Sequence, residues 1–212
     1  MKFERLMVSR TEPNRRFSTM NPWIAKAVIL TATVAMIAIR APHGKRSRAV
    51  KTVKSFKGAR EAVLLVLAWV GFLVPLIWVA SPAFSFAEYT LHLTPLLAGS
   101  TCLVLGLWYF YRSHADLGTY WSVTLELRES HRLITQGVYR RVRHPMYAAL
   151  LLYSVGQVLA VPNWIAGPSY LVSFAILFLL RVSLEEQMML DAFGNEYATY
   201  MAQTKRLVPG IW

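Results

Sequence analysis

Charged residues are almost absent from five stretches of this chain and crowded into the segments between them. Residues 23–39, 62–80, 95–111, 146–161 and 164–180 are apolar runs, and the only charge in any of them is Lys26. A helix needs about 17–25 mostly apolar residues to cross a bilayer, so each run is read as a membrane helix. The fourth is short; its ends must borrow from residues 139–145, or the bilayer must thin around it. Only Pro162 and Asn163 separate the fourth run from the fifth, which predicts a tight antiparallel hairpin over 146–180. The expected fold is all-α and integral to a membrane, with about five transmembrane helices. Three regions follow: a basic tail over 1–22, three helices with a basic loop (40–61) over 23–111, and a C-terminal region over 112–212 that contains the hairpin.

Composition agrees with this pattern. Of 212 residues, 55% are hydrophobic and 16% charged, and mean hydropathy is positive at +0.38 although the formal net charge is +12. Soluble domains average about one-quarter charged residues. A disordered chain, a disulfide scaffold and a plain soluble domain are disfavoured, and so is a nucleic-acid binder, since no stacking-aromatic module accompanies the basic residues. Cys102 is the sole cysteine, so no intrachain disulfide forms. The first apolar stretch begins only at Pro22, unlike a cleavable secretion signal.

Charge placement sharpens the topology. With five spans, the loops 40–61 and 112–145 and the tail 181–212 share one side and carry 8, 6 and 3 Lys and Arg, 17 of the 23 in the chain. The positive-inside rule puts that side in the cytoplasm. The tail 1–22 carries five basic residues and argues the other way. The alternative is a re-entrant or interfacial helix over 23–39, which keeps the tail inside. Lys45, Arg46, Arg48, Lys51, Lys54 and Lys57 recur at short spacing; they suit anionic lipid headgroups or act simply as topology determinants.

Polar chemistry is packed into 112–147 and 181–206. His144-Pro145 suits a helix start, where proline's missing N–H has no helical partner, and the donors of such a terminus favour an anionic group. The plainer reading is that Arg140, Arg141, Arg143 and His144 anchor a helix end. Arg181 and Glu185, four apart, share a helix face. Glu185 and Glu186 await either a ligand or a local ion pair with Arg181 or the Arg140–Arg143 cluster. The histidines at 43, 92, 114, 131 and 144 contain no i, i+4 pair, so no metal site is expected. Phosphate-binding glycine loops are absent.

Four ordered motifs carry a resemblance: Leu-Gly-x-x-Trp-Ser (117–122), Gly-x-Tyr-x-x-x-Arg-His-Pro-x-Tyr (137–147), Glu-Glu (185–186) and Phe-Gly-x-x-Tyr-x-x-Tyr (193–200). Together they resemble the isoprenylcysteine carboxyl methyltransferase family, part of a wider group that includes phospholipid N-methyltransferases. The resemblance implies that 112–212 is the catalytic region of a membrane enzyme transferring a methyl group from S-adenosylmethionine to a lipophilic acceptor, a prenylcysteine-like carboxylate by family analogy. It further implies a cofactor pocket at the cytoplasmic face bound by His131, Leu133, Ile134, Tyr139, His144, Pro145, Met146, Tyr147 and Glu185. Arg181 would face the acceptor and form the catalytic set with Tyr147. A carboxylate acceptor needs no general base; a thiol or amine would, and Tyr147, His144 and Glu186 are the candidates. Family members often carry Gly where this chain has Ala149, which bears on a close helix approach and on acceptor shape.

Three other readings compete. A phospholipid amine or a small thiol could be the acceptor. A non-catalytic membrane protein could retain the fold. A small transporter is disfavoured by the lack of ionisable residues within runs two to five. The expected partners are the lipophilic or prenylated acceptor and the surrounding lipid, with no nucleic acid.

Overall fold

The computed structural model describes residues 21–48, 52–55, 58–120, 123–124, 126–128 and 132–210. The long elements are helices: α1 (Pro22–Arg48), α2 (Ala59–Ala80), α3 (Leu93–Leu117), α4 (Pro145–Ala160), α5 (Ser169–Phe193) and the short α6 (Asn195–Gln203). One feature was not expected of an all-α chain. Strands β1 (Thr52–Ser55) and β2 (Glu126–Arg128) pair antiparallel, joining the α1–α2 loop to the α3–α4 loop. The charge pattern assigned those two loops to one side, and the ribbon ties them together there.

Among the described residues, three helices are long and apolar enough to cross a membrane: Pro22–Lys45 within α1, Ala59–Ala80 and Leu93–Leu117. α4 has 16 residues, which at 1.5 Å per residue is about 24 Å against a hydrocarbon core of about 30 Å. α5 is apolar up to Leu180 and then carries Arg181, Glu185 and Glu186. It begins at Ser169, so the turn after α4 runs over 161–168 and is longer than the Pro162-Asn163 gap suggested. Asn163 builds this turn. Its Oδ1 accepts the amides of Ile165 (3.0 Å) and Ala166 (2.9 Å), and its Nδ2 donates to the Phe84 carbonyl at 2.7 Å. Gln157 donates to the carbonyls of Ala166 and Gly167 at 2.9 and 3.0 Å. In an apolar surround such carbonyls need these partners.

Successive helices run in alternating directions. At one end, Lys26 Nζ near the start of α1 meets the Val79 carbonyl at the end of α2 (3.4 Å), and Trp164 N–H before α5 donates to the Ala87 carbonyl before α3. Lys26 also lies 5.0 and 5.2 Å from the ring centroids of Trp23 and Trp78, which explains how a lysine is accommodated in an apolar run. Trp23, Phe86 and Trp164 are exposed around this end, as expected of an aromatic belt at a membrane surface. At the other end, His43 of α1 packs on His114 of α3, and Arg60 of α2 donates to the Leu180 carbonyl of α5. That polar end carries the site.

Small residues set the helix spacing. A Cβ on Gly99 would lie 2.7 Å from the Ala160 amide nitrogen, one on Gly156 would lie 2.8 Å from the Gly99 carbonyl, and one on Gly106 would lie 2.9 Å from the Tyr153 nitrogen. The backbones of α3 and α4 therefore touch, as small residues allow in membrane bundles. Ala149 is fully buried, and its carbonyl faces Gly106. The close approach is supplied by the glycines of α3 and by Gly156, so the alanine leaves it intact. α2 meets α5 in the same way: Ser169 Oγ donates to the Gly71 carbonyl at 3.0 Å.

Candidate active site at the polar end of the bundle

The motif 137–147 enters α4 through a turn that its sequence dictates. Gly137 has φ +59°, and a Cβ there would also fall 2.0 Å from Asp116 Oδ2; that carboxylate accepts the Val138 amide at 2.9 Å. Glycine is required on both counts. Tyr139 is buried, and burial, followed by the negative charge of Glu185, holds its phenol well above its ordinary pKa, so it stays protonated. Pro145 occupies the first turn of α4, and the N-cap residue His144 makes no side-chain cap. The His144 ring turns toward α5.

Glu185 and Glu186 divide the work there, because adjacent helical residues point about 100° apart. Glu186 is enclosed by basic side chains. Arg143 Nε donates to it at 3.0 Å, Arg206 Nη2 at 2.6 Å, and His144 Nε2 lies 3.3 Å away. Burial acts to raise its carboxyl pKa, and the bonds from His144, Arg206 and Arg143 outweigh that and hold it well below the usual carboxylate range. Arg143 donates further to the Met201 and Thr204 carbonyls. The Arg143 and His144 amides bond the Lys205 and Arg206 carbonyls at 2.7 and 3.0 Å. The start of α4, the end of α5 and the C-terminal segment are thereby stitched together. The local-ion-pair reading thus describes Glu186.

Glu185 is turned the other way and is partly open. Its Oε2 accepts Tyr147 Oη at 2.7 Å, and its Oε1 is 3.9 Å from His144 Nδ1. Tyr147 is held by edge contacts to Phe178, 5.3 Å between centroids. Arg181, one turn before Glu185, does not pair with it. Arg181 Nη2 donates to the Val123 carbonyl (2.9 Å) and meets Glu61 Oε1 of α2 at 3.3 Å, both side chains being buried. Its Nε is buried without a partner among the described residues.

Arg143, His144, Tyr147, Arg181 and Glu185 surround one cavity of about 240 Å³. Of the sequence-expected residues, Leu133, Ile134, Tyr139, His144, Pro145, Met146, Tyr147, Arg181 and Glu185 all line it. His131, and Trp121 and Ser122 of the first motif, lie outside the described residues. The opposite wall is apolar and comes from Met36 and Ile37 of α1 and Leu65, Trp69 and Phe72 of α2, elements that carried no motif, with Phe174 and Leu177 of α5. Sequence reasoning also missed Arg40, which lines the cavity 5.8 Å from the Trp69 ring, and Glu61. Tyr197 and Tyr200, quoted in the fourth motif without a role, line it as well; Tyr200 Oη donates to the Tyr139 carbonyl at 2.6 Å. Gly194, with φ +52°, supplies the bend between α5 and α6 that brings them there.

Comparison with known proteins agrees with the motifs. Residues 99–191 match the model of the isoprenylcysteine carboxyl methyltransferase family. The chain is 34% identical over 89 residues to a protein-S-isoprenylcysteine O-methyltransferase of Tribolium castaneum, covering 42% of this chain and 32% of that protein. It is 32% identical over 89 residues to protein-S-isoprenylcysteine O-methyltransferase B of Arabidopsis thaliana, covering 42% and 45%, and 34% identical over 86 residues to the Homo sapiens enzyme, covering 41% and 30%. The chain thus spans less than half the length of these relatives. A solved structure described as the eukaryotic intramembrane Ras methyltransferase ICMT superposes with a TM-score of 0.49 at 25% identity, over 75% of this chain and 55% of that one. The motifs, their convergence on one cavity and this match agree: residues 99–191 of this integral membrane chain resemble the isoprenylcysteine carboxyl methyltransferase family.

Proposed function

We propose that the chain is a membrane methyltransferase that takes its methyl group from S-adenosylmethionine and esterifies the carboxylate of a lipophilic, prenylcysteine-like acceptor. The observation that carries this reading is the two-sided cavity. Its polar rim holds Glu185, Tyr147, His144 and Arg181, and its far wall is the apolar face of α1, α2 and α5. A water-soluble, charged donor and a membrane-soluble acceptor meet most readily at such a boundary.

The residues fit the donor by their chemistry. Glu185 is a carboxylate able to accept from an amine or ribose hydroxyls. Leu133, Ile134 and Tyr139 offer an apolar and aromatic surface. His144, Pro145, Met146 and Tyr147 line the helix start, where a carboxylate is favoured. When bound, S-adenosylmethionine supplies an electrophilic methyl: one C–O bond forms, one C–S bond breaks with its electron pair going to sulfur, and no proton moves. No residue need therefore act as base toward a carboxylate. Arg181 orients the acceptor, Tyr147 fixes the Glu185 carboxylate, and the wall of Phe174 and Leu177 keeps water out. Holding the two reactants in line contributes about 7–11 kcal/mol in well-oriented systems.

The same reading sets the polar end in the cytoplasm, with the long basic loops and the C-terminus, and treats α4 and α5 as a fourth and fifth pass. Equilibrium titration of the folded full-length chain with S-adenosylhomocysteine, followed by labelled methyl transfer to an N-acylated S-farnesylcysteine, tests it. Saturable binding and transfer are expected. No binding in several detergents and lipids overturns it.

A further inference from the structure

Glu61 belongs to no motif and lies outside the matched residues 99–191. It stands in the first turn of α2, where a helix favours an acidic residue, yet its side chain is buried and aimed across the bundle at Arg181, 3.3 Å away. Helix stability does not need that: an exposed carboxylate would serve the helix end equally well. A buried ion pair is costly to desolvate and weak evidence of stabilisation, so its position asks for another account.

The pair stands between two cavities. Arg181 lines both the main cavity and a second one bounded by Gly58, Glu61, Leu64 and Leu184. Glu61, which borders only the second cavity, therefore meets a guanidinium whose residue borders both. Arg181 Nη2 already serves Val123 and Glu61, while Nε, also buried, has no partner among the described residues. A guanidinium has five N–H donors in a fixed fork, so it can hold a second carboxylate while keeping the first.

We propose that Glu61 is a positioning residue for the acceptor, a resident counter-ion that shares Arg181 with the acceptor carboxylate and limits how tightly the cavity holds lipophilic anions. The inference rests on the reading of the cavity as an acceptor site. Without Glu61, Arg181 would lose its nearest carboxylate, keep only the Coulombic pull of Glu185, and bind lipophilic anions more tightly. With Glu61 in place, the acceptor carboxylate gains less from Arg181. Esterification then removes the acceptor's charge, the charge-assisted bond is lost, and Arg181 returns fully to Glu61 as the neutral ester leaves.

The test uses the full-length protein in lipid nanodiscs and compares wild type, Glu61→Gln and Glu61→Asp. Two quantities are read: equilibrium binding of a saturated fatty acid and of its methyl ester, and KM and kcat with the S-farnesylcysteine acceptor. In Glu61→Gln the fatty acid binds about fivefold more tightly and KM for the anionic acceptor falls, while ester affinity is unchanged, since only the charged ligand senses the missing counter-ion. Glu61→Asp, whose shorter side chain loosens the pair, shifts both quantities in the same direction by less, and serves alone if the Gln variant does not fold. Unchanged or weaker anion binding in the folded variants overturns the inference, as does an equal gain for acid and ester. Fatty-acid binding is read without turnover, so a wild type that transfers no methyl counts against the proposed activity and leaves this measurement decisive for Glu61.

Discussion

Tyr147 donates a 2.7 Å hydrogen bond to Glu185, joining the first turn of α4 to the polar end of α5 inside the cavity. The bond fixes which way the Glu185 carboxylate faces before any ligand arrives. Tyr147→Phe keeps the ring contacts with Phe178 and removes only this bond, so S-adenosylhomocysteine should bind about fivefold more weakly, the equivalent of about 1 kcal/mol. Glu185→Gln, which loses the charge as well, should cost more than Tyr147→Phe. Calorimetric titration of both variants checks the order, and equal affinity for all three proteins would remove Glu185 from the donor site.

Glu186 behaves differently from its neighbour. Glu186→Ala strands Arg143, Arg206 and His144 around a vacated position, and breaking a buried pair of this kind costs about 3–5 kcal/mol. Thermal unfolding in detergent should show a large loss of stability. A change of stability no greater than that of an exposed-surface control would contradict the clamp.

The same carboxylate makes stability depend on pH in one direction. Its pKa is depressed in the folded protein, whereas the unfolded chain titrates near the ordinary value of about 4.3. Its contribution is therefore complete above about pH 5 and is lost progressively as pH falls toward the depressed folded value. Glu186→Gln should flatten that acid limb of the unfolding profile. A limb identical to wild type would place its origin elsewhere.

Gly99, Gly106 and Gly156 let the α3 and α4 backbones touch. Gly106→Leu should destabilise the bundle by at least the 1–3 kcal/mol typical of overpacking, about that range being a lower bound where backbone is struck. Gly137→Ala should damage the site more locally, because its Cβ strikes the Asp116 carboxylate and its φ is left-handed. For Gly137→Ala the expected result is weakened donor binding with most of the thermal stability kept; the reverse pattern would mean that the turn serves the fold and not the site.

Much of this architecture was legible in the residues. Apolar run length gave the long helices, and the placement of lysines and arginines put on one side the two loops that β1 and β2 join, though not their pairing. The resemblance gave nine cavity-lining residues, five of them within the single segment 139–147 that enters α4. What could not be read was contact across the bundle. Glu61 and Arg181 are 120 residues apart, and nothing in the local pattern of either announces the other. The separate duties of Glu185 and Glu186 depend on which face of α5 meets the Arg143–Arg206 clamp, and adjacent identical residues carry no such information. The apolar wall of the cavity was hidden for a simpler reason: Ile37, Leu65 and Trp69 are indistinguishable in sequence from lipid-facing positions of the same helices.

The central claim is that a carboxylate held at Arg181 receives the methyl group, and the chemical stability of the product tests it most directly. Full-length protein is incubated with methyl-labelled S-adenosylmethionine and an S-farnesylcysteine acceptor, and the lipid-extracted product is treated with mild alkali. A methyl ester releases its label as methanol, and Arg181→Gln should lower that signal at least tenfold, about the 1.4 kcal/mol or more expected from losing a charge-assisted hydrogen bond. Label that survives alkali would identify an amine or thiol acceptor and contradict the account, as would full activity in Arg181→Gln.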